Sequence, residues 1–324
     1  MQWHHLADFP LVNPTGHWKI DLWRTIVSHG VAGLPPMWID EQLKTLEVTL
    51  RVAGGRPRTV RVVDADSVIG VSVCGRAPGR AARGELLQTA AHILRLDEDL
   101  SEFYALAGQD PELAWVTRGA GRLIRSATVF EEVVKTVCTT NCAWSATVRM
   151  VSALVEHLGE SAAEAAAIGP RGRVFPTPQA MAGATESFYR DIARAGYRGG
   201  YLLDLAVAEA GGETDLEELG RASRAEIDDD EVERRLLALP GVGPYAAAHI
   251  MMMLGRYSRL ILDSWTRPTY LRIAGKRSAK DTTIIRRFRR YGPYAGLAFW
   301  LYLTRDWVEE NAAGPAQPGP PPVV

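Results

Sequence analysis

The residues best placed to do chemistry are a run, Leu239-Pro240-Gly241-Val242-Gly243-Pro244-Tyr245, and a carboxylate, Asp263, 18 positions after Tyr245 in Leu260-Ile261-Leu262-Asp263-Ser264-Trp265. Glycines allow the positive φ and close backbone approach that a tight turn between two helices requires. Pro244 suits the first position of the second helix, where a missing N–H costs nothing. The unpaired N–H groups of such a turn and helix start can hold a phosphate without reading a base, which makes Gly241, Val242 and Gly243 candidate contacts to a nucleic-acid backbone. A carboxylate close by can stabilise positive charge developing on a sugar and orient a water. Asp263, followed by Ser264-Trp265-Thr266, also reads as a helix N-cap, and the two roles are compatible.

Helices must flank the turn. Residues 231–237 are strong helix formers, and 245–254 form a nearly continuous apolar run of helical length. In this spacing of hairpin and aspartate the chain resembles the helix-hairpin-helix DNA glycosylases. The stretch from Phe130-Glu131-Glu132 to Thr139-Thr140-Asn141 resembles the helix and loop that 8-oxoguanine glycosylases insert against the estranged base, with Asn141 on the loop. Phe175-Pro176-Thr177-Pro178, Gly196-Tyr197-Arg198 and Gly292-Pro293-Tyr294-Ala295-Gly296 resemble the same family's connector, its turn and its last helix. The resemblance covers about residues 128–305.

That resemblance implies excision of a damaged base. Asp263 would be the catalytic carboxylate beneath the sugar, the base would leave the stack at a cost of roughly a few kcal/mol, and Asn141 would help fill the gap. Glycosylases of the family that also cut the strand carry a lysine where Tyr245 stands, so no amine is offered for a Schiff base and a monofunctional enzyme is expected. The glutamine, aromatic and histidine that serve 8-oxoguanine correspond to Phe299, Leu303 and Trp265. An aromatic pocket of Tyr245, Trp265, Phe299 and Trp300 would instead suit a cationic alkylated purine of the 3-methyladenine type. An 8-oxoguanine glycosylase and a non-catalytic hairpin module are the alternatives.

The net charge of −1 hides an asymmetry. Residues 266–290 carry nine bases, Arg267 and Arg272 first among them, against Asp281 alone, which suits a polyanion beside Asp263. Residues 209–233 carry eleven acids against Arg221 and Arg224 and are expected to face solvent away from DNA. Three cysteines, Cys74, Cys138 and Cys142, cannot complete a four-cysteine iron–sulfur site. No metal site or organic cofactor is expected; the resemblance offers only a monovalent cation on the hairpin carbonyls of Leu239 and Val242. The expected partner is damaged double-stranded DNA, bound by a monomer without an obligatory protein partner. No apolar run reaches membrane-spanning length and the N-terminus lacks a signal-peptide pattern, so the expected location is cytoplasmic.

The 324 residues, 47% hydrophobic, can bury a sizeable core. The expected class is α+β. An N-terminal antiparallel sheet domain (1–83) has strands at 43–52, 59–63 and 68–73, and a two-lobed helical domain (84–311) holds the hairpin at 239–245. Leu46, Val48, Leu50 and Val52 alternate with Glu47, Thr49 and Arg51, which predicts a sheet with one buried face. The Pro/Ala/Gly-rich segment 312–324 reads as a disordered tail.

Overall fold

A computed structural model describes residues 2–12, 14, 16–165 and 168–310. The Pro/Ala/Gly-rich tail lies outside the described residues. The α+β class holds: a five-stranded antiparallel sheet is followed by helices. Its strands are β1 (Trp3–Pro10), β2 (Met37–Asp40), β3 (Thr45–Leu50), β4 (Arg58–Ala65) and β5 (Val68–Cys74), in the order β1-β5-β4-β3-β2. The three central strands are those the alternation predicts. The two edge strands were not expected, because neither has an apolar repeat: in β1 only Leu6 is buried, and β2 has four residues. Their pairing comes from the neighbouring strand, with a register shift between His5 and Ala7 in β1.

The alternation in β3 separates apolar from polar side chains, but its polar face does not meet solvent as expected. All six residues of β3 are buried. Residues 159–165 and 168–174 roof that face, with Arg171 bonding Glu47 at 2.7 Å and the Ala163 N–H donating to the Pro57 carbonyl; within the sheet Arg61 bonds Glu47 at 2.7 Å and Thr49 and Thr59 share a hydrogen bond of 3.0 Å. Burial works to raise the Glu47 pKa, and the two arginines overcome it, so the carboxyl lies below its usual range.

Two hydrophobic cores fill the molecule. One combines the inner face of the sheet (Leu46, Val48, Val60, Ile69) with Leu86 and Ala90 of the Arg80–Ile93 helix and with the Ala295–Thr304 helix. The sheet therefore packs against helices after residue 84. The other lies among the helices Val129–Thr139, Trp144–Leu158, Arg198–Gly211 and Asp229–Leu237. Both cores claim the Pro244–Met253 helix. Ala246, Ala247, Ile250 and Met251 face the helical core, while Ala248, Met252 and Met253 face the core that includes the sheet. Those sets fall on opposite sides of a 3.6-residue helix, which is why its sequence is apolar all round rather than striped. Its last carbonyls are satisfied by a buried cation, since the Arg95 guanidinium donates to Met252 and Met253 and to the Leu123 carbonyl.

Among the described residues no helix is long and apolar enough to cross a membrane. Glu47→Ala should strip two arginines of their shared partner and cost about 1–3 kcal/mol of stability. Chemical denaturation would measure it, and Arg171→Ala added to Glu47→Ala should cost less than the sum of the two single changes.

Candidate active site

The hairpin joins the helices Asp229–Leu237 and Pro244–Met253. Asp228 caps the first, accepting the Glu231 N–H at 2.8 Å. Several acids expected to face solvent instead brace this helix: Asp229 pairs with Arg256 (3.0 Å), Glu233 with Arg259 (2.8 Å) and Glu218 with Arg235 (2.7 Å). In the turn, the Val242 N–H donates to the Leu239 carbonyl at 3.2 Å. Gly241 has φ +78°, and a Cβ there would stand 2.8 Å from the Tyr201 ring, so glycine is required twice over. Gly243 differs: its backbone is extended (φ −101°, ψ −176°) and a Cβ would meet nothing within 4 Å. Its lack of a side chain leaves the backbone open to close approach.

The turn forms one wall of a cleft of about 650 Å³, lined also by Thr140, Asn141, Tyr197, Tyr201, Tyr245 and the segment Leu262, Asp263, Ser264. Asp263 is only 7% exposed. Its Oδ1 accepts the N–H groups of Trp265 (2.8 Å) and Thr266 (2.6 Å), and its own N–H donates to Thr266 Oγ1 at 2.8 Å. Asp263 thus accepts two N–H groups at the start of the Thr266–Ile273 helix, whose N-cap position itself is held by Trp265 without a side-chain bond. Both N–H donors converge on one oxygen. Among the described residues no donor bonds Oδ2, which is left for a group entering the cleft.

Asn141 stands at the cleft edge in a left-handed conformation (φ +47°), its Nδ2 donating to Tyr197 Oη at 3.4 Å. Arg198 holds the loop by donating to Thr140. Tyr197 and Tyr201 are not among the expected site residues, although Gly196-Tyr197-Arg198 carries part of the resemblance. Both rings line the cleft, 6.0 Å apart and 58% and 39% exposed, and the signal was an i, i+4 tyrosine pair beside the glycines of a turn.

Tyr245 touches both hydrophobic cores, and its hydroxyl meets His249 Nδ1 at 3.3 Å. Burial raises its pKa, the Asp263 charge adds to the effect and a bond from Thr139 opposes it, so the phenol stays protonated. Trp265 lies 5.7 Å from Trp300 and 5.6 Å from Trp307, ring to ring. Trp300 is 4% exposed and donates to the Ser28 carbonyl, and neither it nor Trp265 lines the cleft as expected, since their rings pack on one another and on Trp307. Phe299 is a correction: it is wholly buried against Phe288 (5.2 Å) and Tyr270 (6.3 Å), because the helix carrying it turns that position into the core rather than toward the cleft.

The basic stretch is also less open than its composition suggests. Arg267 makes a two-point pair with Asp281 (2.9 and 2.8 Å), Arg287 binds Glu112 and Arg290 binds Asp110. Arg272, Lys276, Arg277, Lys280, Arg286 and Arg289 remain exposed. Neither Arg267 nor Arg272 lines the cleft. Cys138 is buried and Cys142 partly so; the Cys142 thiol donates to the Cys138 carbonyl. Among the described residues no cluster of three or more His, Cys, Asp or Glu side chains could hold a metal.

Two outcomes follow from this geometry. Gly241→Ala should lower stability by at least about 1 kcal/mol and weaken DNA binding, measured by thermal melting and by affinity for a short duplex. His249, which meets the Tyr245 hydroxyl and stands 4.5 Å ring to ring from the buried His29, makes stability fall in acid. Burial lowers the His249 pKa from 6.5 to about 4, so between those values the unfolded chain binds more protons than the folded one. Stability should therefore be fully present above about pH 6.5, decline as pH falls toward 4 and level off below; melting curves across that range test it, with His249→Gln giving a shallower decline.

No protein-family model matches the chain. The DNA-3-methyladenine glycosylase of Bacillus subtilis (strain 168) is 25% identical over 177 residues, 54% of this chain and 56% of that protein, so the chain spans about half the length of the curated relative it matches. Over nearly the whole chain the architecture is similar to solved structures. The 3-methyladenine DNA-glycosylase from Archaeoglobus fulgidus superposes with a TM-score of 0.69 at 17% identity, covering 95% of this chain and 99% of that one. The Clostridium acetobutylicum 8-oxoguanine glycosylase/lyase, in its apo form, superposes with a TM-score of 0.60 at 19% identity, covering 83% and 98%. The chain therefore has the α+β fold that these DNA glycosylases share.

Proposed function

We propose that the chain is a monofunctional DNA glycosylase of base excision repair, which extrudes a damaged purine from duplex DNA and releases it to water, the substrate being an alkylated base of the 3-methyladenine type. The observation that carries this reading is the setting of Asp263: a buried carboxylate at the cleft, one oxygen pinned by two backbone N–H groups and the other left for the incoming group. The hairpin N–H groups would hold a phosphate on the opposite wall, placing the sugar between them. As the bond from C1′ to the base nitrogen breaks, its electron pair leaves with the base and positive charge builds on the sugar. The carboxylate stabilises that charge and orients the water that replaces the base.

The substrate class rests on what the cleft offers. A base alkylated on a ring nitrogen carries a positive charge and departs as a neutral molecule, so it needs no acid to protonate it. The rings of Tyr245, Tyr197 and Tyr201 line the cleft together with Asp263, and such faces attract a cation. Among the described residues lining the cleft there is no lysine, and Tyr245 stands at the position of the hairpin amine, which supports hydrolysis without strand cleavage. Asn141 and Tyr197 would occupy the space the base leaves. The exposed bases Arg272, Lys276 and Arg277 would meet phosphates further along the duplex.

Single-turnover release from duplexes carrying a methylated purine or 8-oxoguanine tests the reading. Methylated purine should be released, Asp263→Asn should slow it by roughly 100-fold or more, and strand breaks should appear only after hot alkali. Release of 8-oxoguanine alone would overturn the substrate, breaks without alkali the monofunctional assignment, and no release of either base the enzymatic reading itself.

A further inference from the structure

Three ties hold Asp263 in place. Its Oδ1 accepts the N–H groups of Trp265 and Thr266, its carbonyl accepts the Arg267 N–H at 3.3 Å, and its own N–H donates to Thr266 Oγ1 at 2.8 Å. The first two use backbone donors, which almost any residue at 265–267 would supply. Of the three, only the last is made by a side chain, so it alone depends on which amino acid stands at 266.

Thr266 cannot meet a substrate itself: it is 0% exposed and does not line the cleft. What it has is a firm mounting. One turn further along the same helix, Tyr270 is 1% exposed, its ring 6.4 Å from Phe288, 6.3 Å from Phe299 and 6.0 Å from Tyr302. Residues four apart share a helix face, so the anchoring of Tyr270 is passed to Thr266, whose β-branched side chain has few rotamers. The bonds to Asp263 are also reciprocal. The Thr266 N–H goes to the carboxylate and the Asp263 N–H to the hydroxyl, and a turn of either residue strains both bonds.

We infer that Thr266 is a positioning residue for the reaction: by accepting the Asp263 N–H, its hydroxyl oxygen fixes the backbone from which the carboxylate projects, and so sets where that carboxylate stands against the sugar. The inference rests on the glycosylase reading and deepens it. Without the acceptor, the Asp263 amide is a buried donor lacking a partner, and its segment relaxes until one is found. A carboxylate displaced by about 1 Å meets the developing positive charge off-centre, while the walls that grip DNA are unchanged. Binding survives and the chemical step slows.

The test uses the full chain. Thr266→Val keeps the side-chain shape and loses the acceptor, Thr266→Ala loses both, and Thr266→Ser keeps the acceptor. Single-turnover release of methylated purine should fall roughly 10- to 100-fold in Thr266→Val and Thr266→Ala and stay within about 3-fold of wild type in Thr266→Ser. Affinity for a duplex with a neutral tetrahydrofuran abasic analogue should be unchanged in all. Added to Asp263→Asn, Thr266→Val should slow release no further, because it acts only through the carboxylate. A further loss there, or an equal loss in Thr266→Ser, marks a merely structural role and overturns the inference. A second readout needs no turnover. A pyrrolidine abasic analogue carries a positive charge, so wild type should bind it more tightly than the tetrahydrofuran. That preference should shrink roughly 10-fold in Thr266→Val and Thr266→Ala and persist in Thr266→Ser. If the acceptor-free variants keep the full preference, the inference is overturned and the glycosylase reading stands. If wild type shows none, the carboxylate does not face the sugar, and the reading falls with the inference. A preference that depends on Thr266, with no base released, leaves the positioning intact and removes the enzymatic reading.

Discussion

One helix, Pro244–Met253, has to satisfy two hydrophobic cores at once, and the rest of the structure is arranged around that demand. Ala246, Ala247, Ile250 and Met251 are buried on one side and Ala248, Met252 and Met253 on the other. A helix packed on both sides cannot tilt or slide without opening one core. Its N-terminus therefore emerges at a fixed place in the seam between the two packed masses, where the glycine turn can meet a phosphate. Arg95 fixes the other end by binding the final carbonyls.

At Asp263, structure and chemistry use the same bonds. Two backbone N–H groups that begin the next helix converge on Oδ1, and the Thr266 hydroxyl takes up the aspartate's own N–H. A carboxylate held this way loses little freedom when a sugar approaches, because the entropy of ordering it is already spent in capping the helix. The reading of Asp263 as a cap and its reading as the reactive group describe one geometry.

Much of this was legible in the chain because it depends on short-range pattern. The turn with Gly241, the proline at the helix start and the alternation in β3 are each visible within a few residues. What was hidden depends on distance. The polar face of β3 read as solvated because its roof, with Arg171, comes more than a hundred residues later. Arg267, Arg287 and Arg290 read as an open basic strip because Asp281, Glu112 and Asp110 reach them only in three dimensions. Phe299 and Trp300 read as pocket residues from their position, yet in a helix buried on all sides neither lines the cleft: Phe299 packs on Phe288 and Trp300 bonds the Ser28 carbonyl. His29 and His249 carried no signal at all, since a histidine pair 220 residues apart has no pattern to detect.

The double packing of the hairpin helix also bears on how such a chain can be divided. Residues 128–305, which hold the turn and Asp263, carry the resemblance in sequence. In the folded protein their Met252, Met253 and Leu297 are covered by side chains that include those of the N-terminal part. Cut away from that part, the segment would present a continuous oily surface to water, and it would associate with copies of itself or with membranes before it could serve as a portable module. The sheet thus acts as a built-in chaperone for the region that carries the chemistry, and inheritance of one without the other is physically disfavoured.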